Sequence, residues 1–197
     1  MVTILKYRVA FITLLFGLFG GALSLLLKVD ELQNYYPSLA MLIALSISLL
    51  ISFLIKAKWN VSFRNTLKKV ATILFLLFLV AAFFHTYFLI NSVFKYKDFD
   101  HNTSLYVKGS ELTAAAIKCR KDHPTITSDA AMMTTCFEGP ESKADAWTQD
   151  SINNNIMKLI ISYCMVILFF VSTISLLAEV LSSKYTKTTK PKSQDKL

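Results

Sequence analysis

The residues from which this 197-residue chain could build chemistry are three cysteines, three histidines and thirteen carboxylates, and their spacing keeps nearly all of them apart. No Walker sequence, no paired CxxC and no His-rich cluster occurs, and nowhere do a nucleophile, a base and an orienting group fall together. An enzyme is therefore the function class that the residues least support, and neither a cofactor nor a metal is expected.

His85 is the one ionisable residue deep inside an apolar run, on a helical face shared with Ala81 and Ser92. Burying such a group is costly, which makes it a functional candidate by default. A neutral imidazole hydrogen-bonded to a serine on a neighbouring helix meets the same constraint. No carboxylate sits at matching depth to complete a proton relay, so the structural reading is favoured. Glu179 lies near the end of the last apolar run, with Ser172 and Ser175 on its face and Lys184 beyond it. At that depth it reads as an interfacial anchor, although facing copies in an oligomer would make a carboxylate ring.

Small residues form a second class of candidate. Gly17 and Gly21 make a GxxxG pair continued by Ser24, and Ala44, Ser48 and Ser52 recur at four-residue intervals. In lipid, such faces let helix backbones approach closely, either inside one protomer or across the seam of a homo-oligomer.

Helices in a membrane must position these groups, because the 54% hydrophobic content is gathered in blocks. The fold class expected is an all-α integral membrane protein with four transmembrane helices, at about 9–27, 39–55, 70–94 and 158–181. Lys6 and Arg8 resemble the start of a signal peptide, but the run after them is too long for one, and it is read as an uncleaved anchor. Tyr35 and Tyr36, Trp59 and Tyr96 fall at the ends of spans, where aromatic rings suit the headgroup layer. Basic residues concentrate before the first span, from Lys56 to Lys69 and after the fourth span, which places both termini in the cytoplasm. The segment 95–157 then lies outside, and 182–197 is a basic cytoplasmic tail whose composition predicts disorder.

The outer segment should be a small, mainly helical domain holding Cys119 and Cys136. Two free thiols are one reading; an even pair in an oxidising compartment favours a disulfide, which would contribute about 3 kcal/mol in the chain-entropy model. Short helices are expected over 110–121 and 128–137, each with a serine cap. A third should begin near Pro140 and run through Trp147 into the fourth span, with Asn153, Asn154 and Asn155 as the expected break in that continuity.

Lys56, Lys58, Arg64, Lys68 and Lys69, with five lysines in the tail, give the cytoplasmic face a positive field. Anionic lipid is its default partner and an acidic cytosolic protein would meet the same field. The charge is accounted for at the ends of helices, so direct nucleic-acid binding is not expected.

Parts of this layout resemble three families. Tetraspanins share the short first and large second outer loop, but their Cys-Cys-Gly signature is absent. Quinone-linked disulfide-forming enzymes need a cysteine pair in each outer loop, and Lys28 to Ser38 holds none. The stretch Tyr106-Val-Lys-Gly-Ser-Glu-Leu-Thr-Ala and the segment from Cys119 through Cys136, set between spans three and four, give the chain a layout that resembles the membrane subunit of the Kiwa anti-phage defence system. That resemblance implies a homo-oligomer in the bacterial inner membrane, with the tetramer as the state the resemblance suggests. It also implies detection of phage attack on the envelope and a cytosolic partner that binds DNA. The alternatives are a bacteriocin immunity protein, or a small oligomeric pore or holin.

Overall fold

Ser92 and Val93 are neighbours in the chain, yet one ends a helix and the other begins a strand, so the strand-bearing segment joins its supporting helix without a linker. The computed structural model describes residues 29, 32, 35–55, 61–97 and 103–188. Helix α1 spans Tyr35–Ile55 and α2 spans Val61–Ser92. Strands β1 (Val93–Lys97) and β2 (Thr103–Val107) follow, then α3 (Ala114–Asp122) and α4 (Asp129–Cys136). A 3-10 turn at Pro140–Ser142 leads into the single turn α5 (Lys143–Ala146), and α6 runs from Gln149 to Thr188.

Two helices, α2 and α6, are long and apolar enough to cross a membrane, over Phe63–Ser92 and Gln149–Val180. The first apolar block, 9–27, lies outside the described residues. Helix α1 begins four residues before the expected Leu39. Proline is tolerated in a first helical turn, so Pro37 does not delay the start, and Leu32 O accepts from the amides of Tyr35 and Tyr36.

Both α1 and α2 pack on α6, which presents one apolar stripe along nearly its whole described length. Leu159, Tyr163, Ile167 and Val171 meet Tyr36, Ala40 and Ala44 of α1. Farther along, Leu176 and Val180 meet Leu67 and Ala71 of α2. The spacing of three and four residues keeps this stripe on one helical face. The outward faces carry large apolar side chains, among them Phe53 at 85% and Ile90 at 70% exposed, as expected of surfaces that meet lipid.

The segment between α2 and α6 holds more helix than strand, as expected, but it opens with a hairpin that the expectation lacked. Val93 to Val107 is an antiparallel hairpin that pairs Val93 with Val107 and Lys97 with Thr103. Phe94 on its inner side packs on Trp147 at 5.4 Å, over Met132, Met133 and Ile152. Helices α3 and α4 start where serine or threonine can accept from an orphan amide: Thr113 from Ala116 and Ser128 from Ala131. Thr113, rather than Ser110, therefore sets the first boundary. Cys119 of α3 and Cys136 of α4 are joined by a disulfide, and Asp129 accepts from both Lys108 (2.6 Å) and Arg120 (2.8 Å).

The chain does break before α6, but at Trp147 and not at the three asparagines. Trp147 is extended (φ −125°, ψ 148°), it bridges Leu112, and the next amide, of Thr148, donates to Glu111 O. Burial of the indole, 3% exposed, fixes this conformation. Asn153 to Asn155 remain helical: Asn154 is exposed, and the side chains of Asn153 and Asn155 find partners that do not compete for the helix backbone. Asn153 accepts from Gln149 one turn back, and the buried Asn155 donates to Lys108 O at 2.8 Å.

Candidate functional site

Seven residues before the end of α2, about 10 Å along a helix, His85 meets α6. Its Nδ1 lies 2.8 Å from Ser162 Oγ, and that hydroxyl donates its single proton to Leu159 O at 3.0 Å. With that proton on Leu159 O, His85 donates from Nδ1 and Nε2 is an acceptor; with the proton turned to the imidazole, Nδ1 accepts and Nε2 carries the hydrogen. The expected histidine and serine pair on neighbouring helices is present in this form.

Two tyrosines complete the group. Tyr36 of α1 stacks on Tyr163 of α6 with ring centroids 4.1 Å apart. The imidazole stands 6.3 Å from the Tyr36 ring, edge-on, and 5.7 Å from that of Tyr163. His85 Nε2 and both phenolic oxygens are buried and have no hydrogen-bond partner among the described residues. Two phenols and one imidazole nitrogen thus share a small volume where α1, α2 and α6 meet, and none has a hydrogen-bond partner among the described residues.

An unmade hydrogen bond on a buried group costs about 1–3 kcal/mol. This packing consequently competes with arrangements in which a rotated or translated helix brings a phenol to the imidazole, or in which a small polar molecule bridges them. The free thiol of Cys164 on α6 lies near both tyrosines, and among the described residues no cluster of carboxylates or further histidines joins the group.

Ile156, about two turns above the cluster on α6, packs against both the bundle core and the core of the segment between α2 and α6. Val107 and Leu105 of β2 also reach the bundle core, and Leu105 bridges Val29. The cluster therefore lies directly beneath the seam between the two cores.

The other expected residues are dispersed. Ala44 is buried against α6, and Ser48 Oγ lies 3.3 Å from Ser175 Oγ, so this small-residue face packs inside the protomer. Ser52 falls within α1. Gly17, Gly21, Ser24, Lys56 and Lys58 lie outside the described residues. Arg64 is half-buried near the start of α2, whereas Lys68 and Lys69 are exposed. Glu179 is buried, 9% exposed, instead of reaching outward as an interfacial anchor.

Sequence reasoning passed over Tyr36, Tyr163 and Ser162. Tyr36 follows Tyr35 at a span end and reads as a second belt residue, yet Tyr35 is 62% exposed and Tyr36 fully buried. Ser162-Tyr163 inside an apolar run was the available signal, since polar atoms within a span need partners. No family model, curated protein or solved structure matches the chain.

Proposed function

We propose that this chain is the membrane-embedded sensor or scaffold subunit of a bacterial anti-phage defence complex. In this reading it crosses the inner membrane four times with both termini inside, and it assembles as a homo-oligomer. It responds to disturbance of the envelope or membrane and passes the response to a cytosolic partner that binds DNA. The setting rests on the resemblance to the Kiwa membrane subunit; the coupling role rests on physical grounds.

The observation that carries the coupling role is the unbroken course of α6. Its first turns belong to the core of the outer domain through Ile152 and Ile156, and its far end closes on α2 through Leu176 and Val180. With α2 joined directly to β1, a displacement of the outer domain has no loop in which to dissipate at either junction. The unsatisfied cluster of Tyr36, His85 and Tyr163 supplies a place where two packings can differ little in free energy. Coupling requires such a two-state element and a signal that favours one state.

The test is to interrupt α6 below the outer core. Met157 is 54% exposed, and Met157→Pro removes one backbone hydrogen bond and inserts a ring into the helix, at about 3 kcal/mol. With the Cys119–Cys136 bridge and subunit stoichiometry intact by mass analysis, this variant should lose phage protection while Met157→Ala keeps it. Full protection by an assembled Met157→Pro variant would remove the coupling role.

A further inference from the structure

Between α2 and α6, on the outward surface of the bundle, an open groove of about 450 Å³ descends from the side of the outer domain. Its depth comes from Ala81 and Ser162, whose small side chains leave room between the taller walls of Phe84, Phe88 and Phe169. Lys158 stands at its upper rim, and Ser162, Met165 and Phe169 follow at helical spacing along one edge. The order down the groove is thus a cation, a hydroxyl, then apolar side chains only.

We infer that this groove binds one acidic membrane phospholipid, its phosphate at Lys158 and an acyl chain along Met165 and Phe169. Three observations carry the assignment. Lys158 is exposed, and no carboxylate pairs with it among the described residues; its ammonium keeps only a 3.4 Å contact to Asn155 Oδ1. It lies immediately before the apolar stretch of α6, at the level where headgroups sit. The eleven helical steps from Lys158 to Phe169 rise about 16 Å, close to half of a hydrocarbon core roughly 30 Å thick, which is the depth one leaflet offers to a chain. A zwitterionic lipid would fill the apolar part equally well, so the cation is what selects.

The site also has a route to the cluster described above. Ser162 lines the groove and is the hydrogen-bond partner of His85, so an ester oxygen accepting the hydroxyl's one proton would leave the Ser162 oxygen only to accept, and would fix the imidazole as donor from Nδ1. Lipid selection requires only that α2 and α6 lie in a membrane. It does not require a role in defence, and either can fail alone.

The experiment uses the full chain in nanodiscs of phosphatidylethanolamine with a minor share of phosphatidylglycerol. Lipid retained through detergent extraction is quantified by mass spectrometry. Phosphatidylglycerol should be enriched about fivefold over its share of the bilayer, the factor that corresponds to roughly 1 kcal/mol for one basic residue near the surface. Lys158→Glu and Ala81→Phe should each return the retained lipid to the bulk ratio. Lys158→Arg should hold the enrichment, as should Lys121→Glu at an exposed α3 position away from the groove. Equal retention of the two lipids, or enrichment that survives Lys158→Glu, overturns the inference. An oligomer that retains no lipid overturns it as well and assigns the groove to a second copy of the chain. Should Ala81→Phe fail to assemble, the charge series at exposed Lys158 decides alone.

Discussion

His85 owes its place to Ser162, and that bond gives a measure of how polar contacts count in this bundle. In water, orphaning a buried donor costs about 1–3 kcal/mol, but in membranes the unfolded reference also finds partners and measured values fall near 0.6, at most about 1.7. Ser162→Ala should therefore lower stability by about 0.6–1.7 kcal/mol in a detergent denaturation titration, and an unchanged midpoint would show the bond to be neutral. Gly109 is more demanding. A Cβ there would overlap Ser151 Oγ and come within 2.6 Å of Trp147 Cβ. The serine hydroxyl can rotate away, whereas Trp147 is held by its extended backbone and by Phe94. Gly109→Ala should cost about 1–3 kcal/mol by overpacking, and adding Ser151→Ala should restore only part of it in thermal melts of the purified chain.

Helix α6 shows how element boundaries are decided by partners. Three consecutive asparagines have modest helix propensity, and summed over three residues the deficit against alanine is on the order of 2 kcal/mol. The contact of Asn155 with Lys108 O and the packing of Ile152 and Ile156 outweigh it. Asn155→Leu should therefore weaken the junction even though leucine is the better helix former. Amide hydrogen exchange would accelerate at Lys108 to Gly109 and in the first turns of α6, with the remainder of the helix unaffected. Exchange unchanged at Lys108 would mean that packing alone holds the seam. The hairpin was legible in principle: Val93-Phe-Lys-Tyr-Lys and Thr103-Ser-Leu-Tyr-Val are short strand-like runs rich in aromatic and β-branched residues, and turn-forming Asp and Asn lie between them. Its nearness to the end of an apolar helix hid it, because Val93 and Phe94 extend the hydrophobic run.

At the scale of the whole molecule, the distribution of lysine and arginine makes the most direct prediction. A cysteine introduced at exposed Lys69 should be shielded from an impermeant thiol reagent in intact cells, and one near Glu141 should react. The reverse pattern would invert the orientation and remove the cytosolic docking surface with it. The apolar blocks and the Ser128 cap were open to direct reading, because a one-dimensional pattern suffices: a helix in lipid satisfies its own backbone, and a cap acts within three residues; at the first helix several candidates stood close together, and Thr113 took the place expected of Ser110. The pairing of Cys119 with Cys136 could be proposed in the same way, from two cysteines in one segment. Tertiary structure alone decided that Tyr36 leaves the interface for the core, that the chain breaks at Trp147, and that α2 and α6 leave a groove at Ala81 and Ser162. Each of these depends on atoms brought together from distant parts of the chain, Tyr36 with Tyr163 and Trp147 with Phe94, and no local pattern encodes which distant side chain will fill a space or leave it empty.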